Sequence, residues 1–166
     1  MERLTNKYED LINEVKKELF SLNIAKNEYC ILNYSEIPCF PGGQFSLFLL
    51  RDFFTNQYKI VEKNWDNEYD CERFSSGVYN LDRLCIKTKV SELSSQQQQQ
   101  LENLIASIKI APATLESDNY ILLDGIEYGL TIKTKAIDKN YKWKVATKDL
   151  QYFTPLIDLV RTHADE

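Results

Sequence analysis

The chain has 166 residues, of which 43% are hydrophobic and 27% charged, with a formal net charge of −5. Ten Tyr, eight Phe and two Trp against five Gly and four Pro exclude a disordered or loop-dominated chain. The negative balance argues against nucleic acid as a partner, because such affinity rests on Lys and Arg neutralising phosphates.

The length suits a single domain, 1–166, which buries roughly two-thirds or more of its unfolded surface and needs no disulfide or metal to fold. The opening MERLTNKYEDLINEVKKELF is charged throughout and lacks the apolar stretch of a secretory signal. No apolar run approaches the roughly 20 residues of a membrane span. The expectation is therefore a cytoplasmic protein with no membrane partner.

Leu4, Tyr8, Leu11, Val15, Leu19 and Leu22 recur at steps of three and four, which predicts a first helix with one apolar stripe stopping near Asn23. Tyr29 to Tyr34 predicts a short strand. Pro38, Pro41, Gly42 and Gly43 then mark a turn. Phe45 to Phe54 is apolar on both faces and predicts a central strand covered on both sides. Tyr58 to Trp65 follows Thr55-Asn56 at hairpin spacing. Residues 67–80 read as a loop with some order. Leu84, Ile86, Thr88 and Val90 alternate with polar residues and predict a strand with one buried face.

Ser94 with Gln97 fits a capping box for a helix carrying Leu101, Leu104, Ile105 and Ile108 on one side. The run Gln96 to Gln100 reads as the exposed first turns of that helix. Tyr120 to Leu123, the Asp124-Gly125 turn and the alternation Ile126, Tyr128, Leu130, Ile132 predict a hairpin. A further turn is expected at Asp138 to Asn140, then a strand through Tyr141, Trp143 and Val145. Thr154 caps a last helix with Pro155 at its first position, its stripe being Phe153, Leu156, Ile157 and Val160. Strands run together between helices. The fold class is therefore α+β, with an antiparallel β-sheet of about five to seven strands and three packed helices. The expected core comprises Leu11, Val15, Leu49, Leu84, Ile86, Leu104, Ile105, Leu130, Ile132, Trp143, Leu156 and Val160.

Motifs for chemistry are absent from the sequence. His163 is the single histidine and lies at the end of the last predicted helix. There is no GxSxG, GxxxxGK[ST], GxGxxG or HExxH. Cys30, Cys39, Cys71 and Cys85 form no CxxC pair and none adjoins His163, so they read as free thiols, with no metal site and no cofactor. A carboxylate pair of the glycosidase kind stays open in principle, but no spacing singles one out. The expectation is that the protein is not an enzyme.

The densest acidic stretch is EKNWDNEYDCE, residues 62–72. Glu62, Asp66, Glu68, Asp70 and Glu72 surround Trp65 and Tyr69, a pattern suited to a basic protein surface. These seven residues are the candidate partner-binding set. Asp66, Glu68 and Asp70 at alternate positions are reminiscent of a calcium loop but lack its glycine and its bidentate glutamate. The plainer alternative is a solvated loop or edge strand whose Trp65 packs into the core.

LLDGIEYGLTI (from Leu122), YKWKV (from Tyr141) and FTPLIDLVR (from Phe153) together resemble a pattern of small bacterial immunity-like and uncharacterised cytosolic proteins. Immunity proteins of polymorphic toxin systems are among them. The resemblance covers residues 120–163 and, more loosely, the helix predicted from Ser94. It implies a small acidic α+β protein that binds and blocks a cognate toxin, whose surface the acidic stretch 62–72 would require to be basic. It transfers no catalytic residue. The alternatives are a structural or regulatory adaptor and a small-ligand-binding domain, the last requiring a deep apolar pocket.

Overall fold

The computed structural model describes residues 2–38, 43–107, 126–135, 138–143 and 153–164, with the side chains of 2–6, 163 and 164 left aside. Helix α1 (Glu2–Phe20) leads into strands β1 (Glu28–Pro38), β2 (Phe45–Asp52) and β3 (Tyr58–Trp65). Helix α2 (Asn67–Ser75) and a 3-10 turn (Leu81–Arg83) precede β4 (Ile86–Glu92) and α3 (Ser95–Ser107). Strands β5 (Ile126–Lys133) and β6 (Asp138–Trp143) and helix α4 (Thr154–Ala164) follow. The strands make one antiparallel sheet in the order β4-β3-β2-β1-β5-β6.

The apolar patterning sorts the layers. Strand β2 is central, and Ser46 to Leu50 are all buried, as its two-faced apolar run requires. Leu47 and Leu49 join Ile60, Leu130, Ile132 and Trp143 on one face, where α3 lays Leu101 and α4 lays Leu156, Ile157 and Val160, with Phe153 just before it. Phe48, Leu50 and Val61 point to the other face. There α1 buries Leu11, Val15 and Leu19, packed with Trp65 and Phe74. A register shift between Cys30 and Leu32 lets consecutive Ile31 and Leu32 both enter the first cluster. Gly129 has no Cβ because Ser35 Oγ would lie 2.7 Å from one.

The capping box forms as expected: Ser94 N–H donates to Gln97 Oε1 at 2.6 Å, and Gln97 N–H donates to Ser94 Oγ at 3.4 Å. Several expectations are corrected. The described residues hold four helices rather than three. The extra one is α2, which buries only Asp70 and Phe74 and so carries no readable apolar stripe. Helix α1 ends at Phe20 rather than near Asn23, because Lys63 Nζ donates to the carbonyls of Glu18 and Ser21 and closes its C-terminus. Strand β2 ends at Asp52, and Phe53 and Phe54 belong to the turn.

Strand β4 starts at Ile86 and has almost no buried face. It lies at the sheet edge, and Val90 is 58% exposed. Leu84, Ile86, Leu104 and Ile105 are partly buried against the clusters rather than inside them. Asp138 to Asn140 are in β6 rather than in a turn. The readings on Cys39, Pro41, Gly42, Ile108, residues 120–125 and Val145 lie outside the described residues.

Candidate functional site

Asp66 follows β3 and is the N-cap of α2. Its side chain accepts from Tyr69 N–H at 3.4 Å, an N-cap contact, and from Lys87 Nζ at 2.8 Å. The hydrogen bond from Lys87, reinforced by the Tyr69 N–H, holds this carboxyl below the ordinary carboxylate range. One turn on, Asp70 points inward and is completely buried. Its Oδ2 accepts from the Trp65 indole N–H at 2.8 Å and from Cys85 N–H at 2.8 Å. Its Oδ1 accepts from Arg73 Nη2 at 2.7 Å and Nε at 3.3 Å. Four N–H donors therefore satisfy a charge that burial would otherwise penalise heavily. Arg73 continues through Nη1 to the carbonyl of Asn80 at 2.6 Å, which fastens the segment after the helix.

This network divides the seven sequence-nominated residues. Trp65 is 3% exposed and Asp70 fully buried, so neither presents itself to a partner. Trp65 packs into the core, the plainer of the two outcomes. Glu62 lies on β3 with the parity of Ile60, facing the α3–α4 side, and accepts from Asn64. The sheet thus separates it from the rest. Asp66 is occupied by Lys87. Glu68, Tyr69 and Glu72 remain outward on α2, with Tyr69 56% exposed. Glu68 and Glu72 stand one helical turn apart on one face with Tyr69 beside them. Neither glutamate makes an ion pair among the described residues.

The alternation of Asp66, Glu68 and Asp70 belongs to a helix start, where the three carboxylates diverge. Among the described residues no three Cys, His, Asp or Glu side chains are grouped to hold a metal ion. No helix among them is long and apolar enough to cross a membrane. Cys30, Cys71 and Cys85 are free and partly buried. Burial, then the charge of Asp70, raises the Cys71 thiol.

A recess of about 380 Å³ lies between α1 and β4, lined by Glu14, Glu18, Lys63, Asp82, Leu84 and Ile86 among others. The Lys63 ammonium there is occupied by the carbonyls of Glu18 and Ser21, and burial lowers its pKa. Sequence reading missed Arg73, the charge partner of Asp70. The Asp–x–x–Arg spacing, i and i+3 on a helix, was visible only to a reader who already expected helix at 67–75.

No protein-family model, no curated protein and no solved structure matches the chain.

Proposed function

We propose that this chain is a non-catalytic protein-binding module that neutralises a partner with a basic surface, a cognate bacterial toxin in the reading its C-terminal pattern suggests. The observation that carries the binding surface is the exposed Glu68–Tyr69–Glu72 face of α2. That face is held rigid from behind by Asp70, Trp65 and Arg73. An aromatic side chain beside two unpaired carboxylates on an anchored helix supplies contact area and charge complementarity. Glu68 and Glu72 would pair with Lys or Arg that the partner uses on its own substrate. Tyr69 would anchor the contact.

Co-expression with the product of a neighbouring toxic reading frame tests this. The chain rescues growth, and Tyr69→Ala weakens binding on the order of 30-fold, the scale of one anchor residue. Glu68→Lys with Glu72→Lys chiefly slows association. Binding without rescue would identify an adaptor instead. Full rescue and unchanged affinity when Tyr69→Ala, Glu68→Lys and Glu72→Lys are combined would move the interface off α2.

A further inference from the structure

The turn between β2 and β3 displays two adjacent phenylalanines, Phe53 at 58% and Phe54 at 84% exposure. Such a pair in a floppy loop would fold back on the nearest apolar surface. Here it is held out. Asp52 Oδ1 accepts from Phe54 N–H at 2.7 Å and Thr55 N–H at 2.8 Å, and Asn27 Nδ2 donates to Oδ2. Asn56 takes a left-handed φ of 59°, which closes the turn. The Phe53 ring stacks on Tyr29 at 4.7 Å.

The amide donors of this tip need no water. Asp52 N–H donates to Gln57 O, Phe53 N–H to Asn27 O and Asn56 N–H to Asp52 O. Phe54 and Thr55 N–H reach Asp52, and Gln57 N–H reaches Thr55 Oγ1. All six amide N–H groups from Asp52 to Gln57 are therefore bonded within the protein. Burying the tip would strand no amide donor, which removes the donor part of the backbone cost of desolvating a loop. The formal charges beside it balance in number: Arg51 pairs with Glu102 and Lys59 with Glu28, and the positive Lys26 stands against the negative Asp52.

We propose that the Phe53–Phe54 tip docks into an uncharged apolar recess of a partner protein. This deepens the protein-binding reading and rests on it, without requiring that the partner be neutralised. A convex, electrically compensated knob complements a concave neutral pocket. An anionic bilayer is disfavoured by the net charge of −5 and, among the described residues, by a single unpaired cation beside the tip, Lys26, where a cationic collar would be needed. A second copy is disfavoured by size, since two rings fall well short of the roughly 1,600 Å² of a stable interface. They match instead the dimensions of one hot spot.

The test places a photoreactive benzoylphenylalanine at position 54 of the full chain, with the same residue at exposed Val90 as control, in the cells that make the protein. The expected result is one adduct at 54, absent at 90, mapping to apolar residues of a single partner. Excess wild-type chain suppresses it, and Phe53→Ser/Phe54→Ser chain competes on the order of tenfold less well or worse. Circular dichroism of that double variant should match wild type, since both side chains are largely exposed. An adduct of twice the chain mass would overturn the proposal in favour of a second copy. Tip-dependent flotation with phosphatidylcholine or phosphatidylcholine–phosphatidylglycerol vesicles would overturn it in favour of lipid. Equal labelling at 54 and 90, or equal competition by the double variant, would also sink it. An adduct from 54 in cells where the chain rescues nothing would leave this inference standing and remove only the neutralisation reading.

Discussion

The indole N–H of Trp65 donates to Asp70 Oδ2 at 2.8 Å, with both side chains buried, so a residue that ends a strand is locked to the first turns of the helix that follows it. The same oxygen holds Cys85 N–H, and the other oxygen holds Arg73. One carboxylate thus joins β3, α2 and the segment leading into β4.

Removing that carboxylate leaves an indole, an amide and a guanidinium without their acceptor. Asp70→Ala should cost about 3–5 kcal/mol, the range for breaking a buried charge pair. That corresponds to a melting temperature lower by on the order of 10 °C for a chain of this size. Asp70→Asn keeps the volume but loses the charge and an acceptor, and should lie between. Thermal unfolding followed by Trp fluorescence reads both. An Asp70→Ala protein that melts with wild type would show that α2 is not fastened this way.

Ser94 and Gln97 cap α3 reciprocally. Ser94→Ala should destabilise by about 1 kcal/mol. Adding Gln97→Ala should then cost less than it does alone, because the two contacts form one box. Urea denaturation of the two single variants and the double variant gives the coupling. Strict additivity would argue against the box.

Gly129 pairs with Ser35 across β5 and β1, and a Cβ there would meet the buried Ser35 Oγ at 2.7 Å. Alanine in a strand normally helps over glycine, so the two effects oppose each other. The clash should win, with Gly129→Ala costing about 1–3 kcal/mol. Ser35→Ala removes the obstructing oxygen and should recover most of the loss. If the double variant is no more stable than Gly129→Ala, crowding by Ser35 is not the cause.

Burial against Phe48, Leu50 and Val61 pushes the Cys30 thiol up to about 11 from an ordinary 9.0. The folded state therefore holds this proton more tightly than the unfolded one. Its contribution to stability is fully present below pH 9.0 and is lost as pH rises towards about 11. Cys30→Ala should show a shallower alkaline fall than wild type over that window. Iodoacetamide should label Cys30 at pH 8 roughly a hundred times more slowly in folded than in unfolded chain. Rapid labelling of the folded protein at pH 8 would contradict the assignment.

Most of the frame was legible in the chain order of residues. The stripe Leu11, Val15, Leu19 gave α1, the two-sided run at Phe45 gave the central strand, and Ser94 with Gln97 placed the start of α3. These are local matters: periodicity follows from which face meets the core, and a cap needs only residues three apart. Tertiary structure decided the rest. Helix α2 exists because Asp66 caps it and Asp70 finds Trp65, Arg73 and Cys85, partners up to fifteen positions away that no periodicity announces. Strand β4 lost its buried face because it became an edge, which alternation alone does not encode. The acidic stretch read as one surface because its residues are consecutive. Folding sent Trp65 and Asp70 inward and Glu62 to the opposite face of the sheet, leaving Glu68, Tyr69 and Glu72 outside. Side-chain direction depends on where strand gives way to helix, and a three-dimensional hydrogen-bond network fixed that boundary.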